Sequence, residues 1–343
     1  MSGYREHLLV IALFVVLAFL FAYPFSLHLN EAVISSHVDN LLNVWIMSWD
    51  AHVVATDPTA LFQANMNYPS PDSLAYSEHL FILAMFAAPV SWLTGNPVLA
   101  YNLVALLGFA LCGYAMYLLA RYLTGSRPAA FAAGAFFAFV PYHFSTIVHV
   151  HVSLYLFQPL IILMLFRYFD GGERRYLLGL GAAFLAQGLL GWYQLAFSSI
   201  PIGLFLLWKT LSPRRREHLR ALLRVIGVLA LCMLVILPFA LPYFRLHRNI
   251  PEKEGEPAIN VIAHAGARDF VRVLPQNWLY GKLGFLPTGN PGEGNALFPG
   301  FLAFPLLILA LLSALKGART RGEGSAGAFG SLEEEGFPAN RGA

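Results

Sequence analysis

The sequence is poor in charged residues and in cysteine. Only 12% of its 343 residues are charged and 57% are hydrophobic, whereas a soluble domain averages about 25% charged residues. This composition excludes an ordinary soluble domain and favours a protein that crosses a membrane several times. Cys112 and Cys232 both lie inside apolar runs. We therefore expect them to serve as small packing residues, with no disulfide or metal framework.

Several common catalytic motifs are also missing from the sequence. It has no glycine-rich phosphate loop, no serine nucleophile elbow and no CxxC pair. The basic residues stand in short segments beside apolar runs, so nothing indicates nucleic-acid binding. These absences exclude the commonest soluble chemistries without identifying the chemistry of this chain.

The first long hydrophilic segment, residues 27–98, contains no lysine or arginine. Loops without basic residues lie outside the cytoplasm, because lysine and arginine hold loops inside it. Carboxylates beside a bilayer are costly to desolvate, so a cluster of them predicts binding or catalysis. The six carboxylates of this segment are Glu31, Asp39, Asp50, Asp57, Asp72 and Glu78.

Apolar runs long enough to cross a membrane recur along the chain. The run 80–93 has only 14 residues and reaches about 21 Å as a helix, short of a ~30 Å hydrocarbon core. If it stays at the interface, every short basic loop falls on one side of the membrane. The eight predicted spans are Leu8–Phe25, Leu99–Leu119, Pro128–Val148, Val152–Phe166, Tyr176–Trp192, Tyr193–Trp208, Val225–Phe244 and Phe298–Leu315.

The sequence therefore predicts an all-α polytopic membrane protein with about eight transmembrane helices. Its large first extracytosolic loop is expected to contain interfacial helices. The predicted parts are a first transmembrane helix (1–26), an extracytosolic acidic loop (27–98) with an interfacial helix (80–93), a transmembrane bundle (99–244), a second extracytosolic loop (245–297), a last transmembrane helix (298–316) and a disordered cytoplasmic tail (317–343).

Asp39 is the leading candidate for a catalytic base. It belongs to the stretch His37-Val38-Asp39-Asn40, which closely follows the first span. Transfer of a sugar to a hydroxyl needs a group that takes the hydroxyl proton, and a carboxylate can do this. The alternative is that Asp39 caps a helix or is solvated in the loop.

Glu78 and His79 are two further catalytic candidates, and Tyr68 is a candidate substrate contact. Tyr68 lies in the stretch Asn65–Pro69, and Glu78 and His79 open the short apolar run. In that position they can face a site at the membrane surface. A helix N-terminus explains an early acidic residue equally well.

The remaining substrate-binding candidates are His149, Arg245 and Arg248. His149 lies at the end of the third predicted span, where an interfacial role is the alternative and the spacing matches no metal signature. Arg245 and Arg248 lie one turn beyond a span, where a lipid phosphate would be. Arginine suits that contact through its planar set of donors; a solvated surface is the alternative.

The order of these features resembles the GT-C superfamily of integral-membrane glycosyltransferases, which includes protein O-mannosyltransferases and the lipid A aminoarabinose transferase. An early acidic residue in the first outer loop is followed by the Asn-x-x-Tyr-Pro stretch, and then by Glu78 and His79. An interfacial helix ends at Leu93-Thr94-Gly95-Asn96-Pro97, and Phe298-Pro299-Gly300 opens a later span.

The resemblance implies a hexosyl- or pentosyltransferase that uses a polyprenyl-phosphate-linked sugar. Its acceptor would be a lipid, glycan or protein hydroxyl, and its active site would face outside the cytoplasm from the inner (plasma) membrane. The acidic residue that the superfamily has in its first outer loop corresponds to Asp39 in this chain. Asp39 is followed by Asn40 and not by a second carboxylate. We expect no cofactor and leave a divalent metal open. Members of the superfamily continue with further spans, so we expect a chain truncated at the C-terminus.

Two other classes of function stay open at this stage. The chain could be a transporter, flippase or lipid-binding membrane protein without chemistry, or an inactive fragment of an enzyme. A transporter should place ionisable residues near the bilayer midplane. The span interiors between Leu99 and Trp208 lack Asp, Glu, Lys and Arg, which favours a site at the outer surface.

Overall fold

Helices dominate the computed structural model of the chain, and the predicted all-α class is confirmed. In the described part, strand pairing is limited to an isolated bridge between Val273 and Thr288. The predicted tail (317–343) and His37 lie outside the described residues. The structure describes residues 3–34, 38–212, 215–249, 266–275, 277, 279–289, 296–310 and 312.

Eleven α-helices are found between residues 3 and 249, leaving aside the segments 35–37 and 213–214 that the structure does not describe. In chain order they are α1 (Gly3–Phe21), α2 (Val38–Thr56), α3 (Phe81–Thr94), α4 (Pro97–Thr124), α5 (Arg127–Ala138), α6 (Pro141–Ser145), α7 (Val150–Ser153), α8 (Phe157–Gly171), α9 (Arg174–Leu190), α10 (Trp192–Leu211) and α11 (Arg215–Asn249).

Five helical segments of the described chain are long and apolar enough to cross a membrane, so the predicted count of eight is not confirmed. The run 80–93 forms α3, which has 14 residues and is shorter than a span. The five segments are Tyr4–Phe21, Pro97–Thr124, Val150–Gly171, Trp192–Leu211 and His218–Arg248.

The predicted span Pro128–Val148 is not one helix. It is divided into α5 and the five-residue α6, with non-helical residues at Phe139 and Val140. Pro141 opens α6 and lacks a backbone N–H, so it cannot continue the hydrogen-bond ladder of α5. The predicted span Tyr176–Trp192 forms α9, which has 17 residues and is at the lower limit for crossing a ~30 Å core.

Helix α4 lies at the centre of the bundle and packs against α1, α2, α3, α5 and α8. The crossing of α4 with α5 is made close by two glycines. A Cβ on Gly134 would lie 2.4 Å from the carbonyl oxygen of Gly113, and a Cβ on Gly113 would lie 2.7 Å from the ring of Phe14. Small residues at this crossing let the two backbones approach each other.

A tight turn joins α3 to α4. Gly95 ends α3 with φ at +65°, a left-handed conformation that costs glycine little. Asn96 then caps α4, because its side-chain Oδ1 accepts from the Leu99 N–H at 3.0 Å, and Pro97 occupies the first helical position. The sequence Gly95-Asn96-Pro97 thus both stops one helix and starts the next.

Side-chain contacts define two ends of the bundle. At the first, here called the Glu6 end, Glu6 contacts Tyr117 of α4 and Arg127 of α5. The opposite end of α4 contacts the segment between α1 and α2, since Asn102 donates to Leu29 O at 2.8 Å. This opposite end carries the cavity described below and is called the cavity end.

The described residues from Phe298 onward belong to a second unit of the chain. Within its described part, residues 303–310 are helical, and the ring of Phe298 packs edge-on against Phe301 with centroids 5.0 Å apart. The predicted last span, Phe298–Leu315, is therefore partly helical in the described residues and extends beyond them.

Candidate active site

Helix α2 brings a row of polar residues into the core at the cavity end. Asn40, Asn43 and Asp50 recur at intervals of three and seven, which puts them on one face of the helix. All three are buried. Asn40 accepts from the Tyr101 hydroxyl at 2.8 Å, and Asn43 donates to the Val148 carbonyl at 3.1 Å. These two bonds fix α2 against α4 and against the segment before α7.

Asp39 lies in the first turn of α2 and contacts His149. The Oδ2 atom of Asp39 is 2.9 Å from Nε2 of His149, and the side chains are 37% and 41% exposed. The Asn43 bond to Val148 holds the residue next to His149, so the pair is supported from the following turn. The result is a carboxylate and an imidazole that share a hydrogen bond at an accessible surface.

Glu78 lies in the coil before α3 and reaches the start of α10. Its Oε2 accepts from the Trp192 backbone N–H at 2.8 Å. Burial raises the pKa of the Glu78 carboxyl, and the N–H groups of Trp192 and Tyr193 partly offset this by favouring the charged form. A carboxylate at a helix N-terminus is favoured by the unsatisfied N–H groups and the positive end of the helix dipole.

Gly191 makes this approach possible. A Cβ at residue 191 would lie 3.2 Å from Oε2 of Glu78 and 3.7 Å from Cδ2 of His151. The glycine therefore leaves space in which the carboxyl and the imidazole both come close to the start of α10. Gln194 strengthens the same junction, since its Nε2 donates to the Val152 carbonyl at 2.7 Å.

His79 is fully buried among aromatic rings. It stacks on Trp192 with centroids 5.5 Å apart and contacts Phe239 edge-on at 5.3 Å. Within the described residues neither ring nitrogen has a hydrogen-bond partner. Burial lowers the pKa of His79 to about 3, so the imidazole is neutral at physiological pH. His79 thus packs behind Trp192 and not at the accessible surface of the site.

Two residues near the end of α11 hold the segment that carries Glu78. The Tyr243 hydroxyl donates to the Ser77 carbonyl at 2.8 Å. Arg245 donates to Asp72 through two nitrogens, at 2.8 and 3.0 Å. Such bidentate pairs fix geometry as well as charge. The segment from residue 72 to residue 78 is therefore tied to α11 at both ends.

These elements surround one cavity of about 620 Å³, within the range of ~300–1,000 Å³ that is usual for ligand pockets. Asp39 and Glu78, from two separate elements, both line it. Among its described lining residues there is no lysine or arginine. The lining residues are Asp39, Leu42, Asn43, Ala75, Tyr76, Ser77, Glu78, His149, His151, Trp192, Tyr193, Ala196 and Tyr243.

The structure brings three of the predicted site residues together at this cavity, namely Asp39, Glu78 and His149. His79 lies behind it, in contact with Trp192. Tyr68, Arg245 and Arg248 do not line the cavity. Tyr68 is 95% exposed, and Arg248 is exposed in the last turn of α11.

Sequence reasoning missed the contribution of Gly191, Trp192 and Tyr243. The signal for the first two was present, because Gly191-Trp192-Tyr193-Gln194 interrupts a long apolar stretch with a glycine and a polar residue. Tyr243 gave no signal, since it lies in an apolar helix and its role depends on the fold. Among the described residues no group of three or more His, Cys, Asp or Glu side chains is arranged to hold a metal ion.

Residues 78–241 match the family model of the dolichyl-phosphate-mannose-protein mannosyltransferases. The match begins at the cavity residue Glu78 and ends within α11, and it spans just under half of the chain. No curated protein and no solved structure matches the chain. Over the matched stretch the chain is similar to a family of membrane glycosyltransferases of the GT-C type, which supports the resemblance inferred from the sequence.

Proposed function

We propose that this chain transfers a sugar from a polyprenyl-phosphate donor to a hydroxyl of a protein, glycan or lipid acceptor. The observation that carries the proposal is the meeting of Asp39 and Glu78 in one cavity. The stretch that is similar to the mannosyltransferase family begins at one of these two carboxyl groups. The sugar is a hexose or a pentose, with mannose favoured by the family description.

Asp39 acts as the base in this proposal. Its carboxylate takes the proton of the acceptor hydroxyl as the hydroxyl oxygen bonds to the anomeric carbon. The bond from that carbon to the donor phosphate breaks on the opposite face, so the configuration inverts and polyprenyl phosphate leaves with the electron pair. His149 holds the carboxylate in position through the 2.9 Å contact, and Glu78 orients the acceptor.

The positions of the basic residues at the Glu6 end support an extracytosolic site. Arg127 lies at the Glu6 end. Arg167 is at the same end, over the ring of Tyr122, because Tyr122 follows Tyr117 in the last turns of α4. Basic loops face the cytoplasm, so the cavity end faces away from it. Helix α3, too short to span, would then lie at the outer interface between the first loop and α4.

The test is a transfer assay with purified protein in lipid nanodiscs and a polyprenyl-phosphate sugar. The wild-type protein should release polyprenyl phosphate only when a hydroxyl acceptor is present. The Asp39→Asn variant should lose transfer by about 10²–10⁴-fold. The matched control is Glu31→Gln, which changes an exposed carboxylate outside the cavity and should retain wild-type turnover.

Two outcomes would contradict the proposal. Full turnover by Asp39→Asn would remove Asp39 from the mechanism. Movement of the lipid-linked sugar across the membrane by the wild-type protein, without release of polyprenyl phosphate, would identify a transporter.

A further inference from the structure

The described lining of the cavity combines carboxyl groups with exposed aromatic rings. Asp39 and Glu78 both line it, and an ionised carboxylate only accepts hydrogen bonds, at about four lone-pair positions. Two carboxylates in one cavity therefore suit a ligand that brings several hydroxyl donors. Ligand pockets usually add apolar and aromatic contacts to a few such polar groups.

Two exposed tyrosines adjoin Glu78. Tyr76 precedes it by two residues, and Tyr193 lies in the first turn of α10, where its backbone N–H and that of Trp192 contact the Glu78 carboxyl. Both tyrosines line the cavity, and they are 48% and 59% exposed. Apolar ring surface in contact with water favours a ligand that covers it.

Tyr76 is exposed and yet held in place. Its hydroxyl lies 3.2 Å from Oγ of Ser70, and it ends a short 3-10 turn, Ser73–Tyr76, whose first three residues are buried. A ring that is already fixed loses little conformational freedom when a ligand covers it. Tyr193 opens a spanning segment, where tyrosines also anchor helices at the interface, but Tyr76 lies outside the spanning segments.

We propose that the acceptor hydroxyl belongs to a carbohydrate, and that Tyr76 and Tyr193 bind its ring beside Glu78. A sugar ring presents hydroxyl groups at its edge, which donate to carboxylates, and C–H groups on its faces, which pack on aromatic rings. A serine, a threonine or a simple lipid alcohol offers one hydroxyl and no ring face. The inference rests on the proposed function for the reaction, and it narrows the acceptor to one class.

The first test offers two classes of acceptor to the protein in parallel. Full-length protein in nanodiscs free of sugar-containing detergent receives a polyprenyl-phosphate sugar, with either a panel of methyl glycosides and disaccharides or a panel of peptides that contain serine and threonine. Transfer to at least one saccharide, with a higher kcat/KM than for any peptide, is the expected result. Transfer to a peptide that equals or exceeds the best saccharide would overturn the inference.

Variants of the two tyrosines test the binding role of the rings. Tyr76→Leu and Tyr193→Leu should each raise the KM for the saccharide about tenfold, and leave kcat and the KM for the donor nearly unchanged. Tyr76→Phe and Tyr193→Phe keep the rings and should bind the saccharide nearly as the wild type does. An unchanged saccharide KM in the leucine variants, or a rise confined to the donor KM, would overturn the inference.

The matched control is Tyr23→Leu. Tyr23 follows α1 at the cavity end, is 67% exposed and does not line the cavity. It tests whether loss of any exposed tyrosine near the interface produces the same effect. An equal rise in the saccharide KM for Tyr23→Leu would show that the effect is not specific to the cavity, and would also overturn the inference.

Binding of the saccharides without donor, measured by saturation-transfer NMR, separates failure of this inference from failure of the proposed function. Binding that weakens in both leucine variants, in a protein that transfers no sugar, would keep the carbohydrate site and remove the enzyme. Transfer that depends on Asp39 and is unchanged in both leucine variants would keep the enzyme and remove the carbohydrate site.

Discussion

The two ends of the helix bundle differ in how their carboxyl groups are paired. At the Glu6 end the carboxylate of Glu6 accepts from the Tyr117 hydroxyl at 2.6 Å and pairs with Arg127 at 2.6 Å. At the cavity end the carboxyl oxygens of Asp50 and both ring nitrogens of His79 are buried, without a partner among the described residues. The Glu6 carboxylate thus has its partners, whereas the carboxyl of Asp50 and the imidazole of His79 have none among the described residues.

This difference separates a stabilising region from a functional one. Paired charges lower the energy of the fold, whereas buried groups without partners raise it and are retained where they serve binding or chemistry. The cavity end also holds the Asp39–His149 pair and the start of α10. Substitutions at the two ends should therefore move stability and activity separately.

The largest expected effect is on the stability of the packing between α4 and α5. Gly134→Ala would place a Cβ 2.4 Å from the Gly113 carbonyl oxygen, and backbone cannot move aside as a side chain can. We expect a loss of about 3 kcal/mol in the free energy of unfolding, seen as a lower thermal midpoint in detergent. The control is Gly203→Ala, where no atom lies within 4 Å of the new Cβ; equal midpoints for the two would contradict the packing described.

The second effect concerns activity at the cavity end. His149→Phe removes the partner of Asp39 and should lower turnover by about tenfold to a hundredfold, less than loss of the base itself. His149→Gln can keep a hydrogen bond to the carboxylate and should recover part of the activity. Thermal midpoints should be nearly unchanged, because both side chains are partly exposed. A lower thermal midpoint with normal turnover would show that His149 contributes to stability and not to activity.

The third effect is a loss of stability at the Glu6 end without a loss of activity. Tyr117→Phe removes the hydroxyl that donates to Glu6, and should cost roughly 1–2 kcal/mol of stability. Turnover at a temperature where the variant is folded should match the wild type. Tyr4→Phe is the control, because Tyr4 is 73% exposed. Loss of activity without loss of stability in Tyr117→Phe would break the comparison of the two ends.

The smallest effect is a dependence of stability on pH. Burial raises the pKa of Asp50 well above its ordinary value of 3.8. The unfolded chain therefore loses this proton at a lower pH than the folded chain, so wild-type stability falls as pH rises from about 4 toward the raised pKa. Asp50→Asn replaces the titrating carboxyl by a neutral amide. It should raise the thermal midpoint of unfolding relative to wild type by about 2–5 °C at about pH 8.

The difference between the two proteins should shrink as the pH approaches the ordinary pKa of aspartate. Unfolding curves recorded across this pH range provide the measurement. A difference that is constant with pH would show that the Asp50 carboxyl does not titrate on unfolding.

Local patterns predicted part of this structure. The lack of lysine and arginine in residues 27–98 marked the segment that carries Asp39 and Glu78, and both reach the cavity. The turn Gly95-Asn96-Pro97 marked the end of the short helix α3. Charge and helix capping act over a few residues, so they can be read from the sequence directly.

Contacts between segments that are far apart in the sequence could not be predicted from local patterns. The pair formed by Asp39 and His149 joins positions 110 residues apart, and no local pattern selects His149 over His151. Arg245 was expected at a lipid phosphate, but its guanidinium pairs with Asp72. These partners depend on how α2, α7 and α11 pack together, which hydrophobicity and charge alone do not specify.

The length of α11 has a consequence for the whole site. Its 35 residues extend about 52 Å, well beyond the ~30 Å thickness of a hydrocarbon core. This excess length lets the turns that carry Tyr243 and Arg245 lie at the lipid surface or above it, at a height that depends on the tilt of the helix. Because those turns hold the segment that bears Glu78, the tilt of one helix sets the height of the cavity over the bilayer. Membranes of different thickness should present the cavity to the lipid headgroups at different depths.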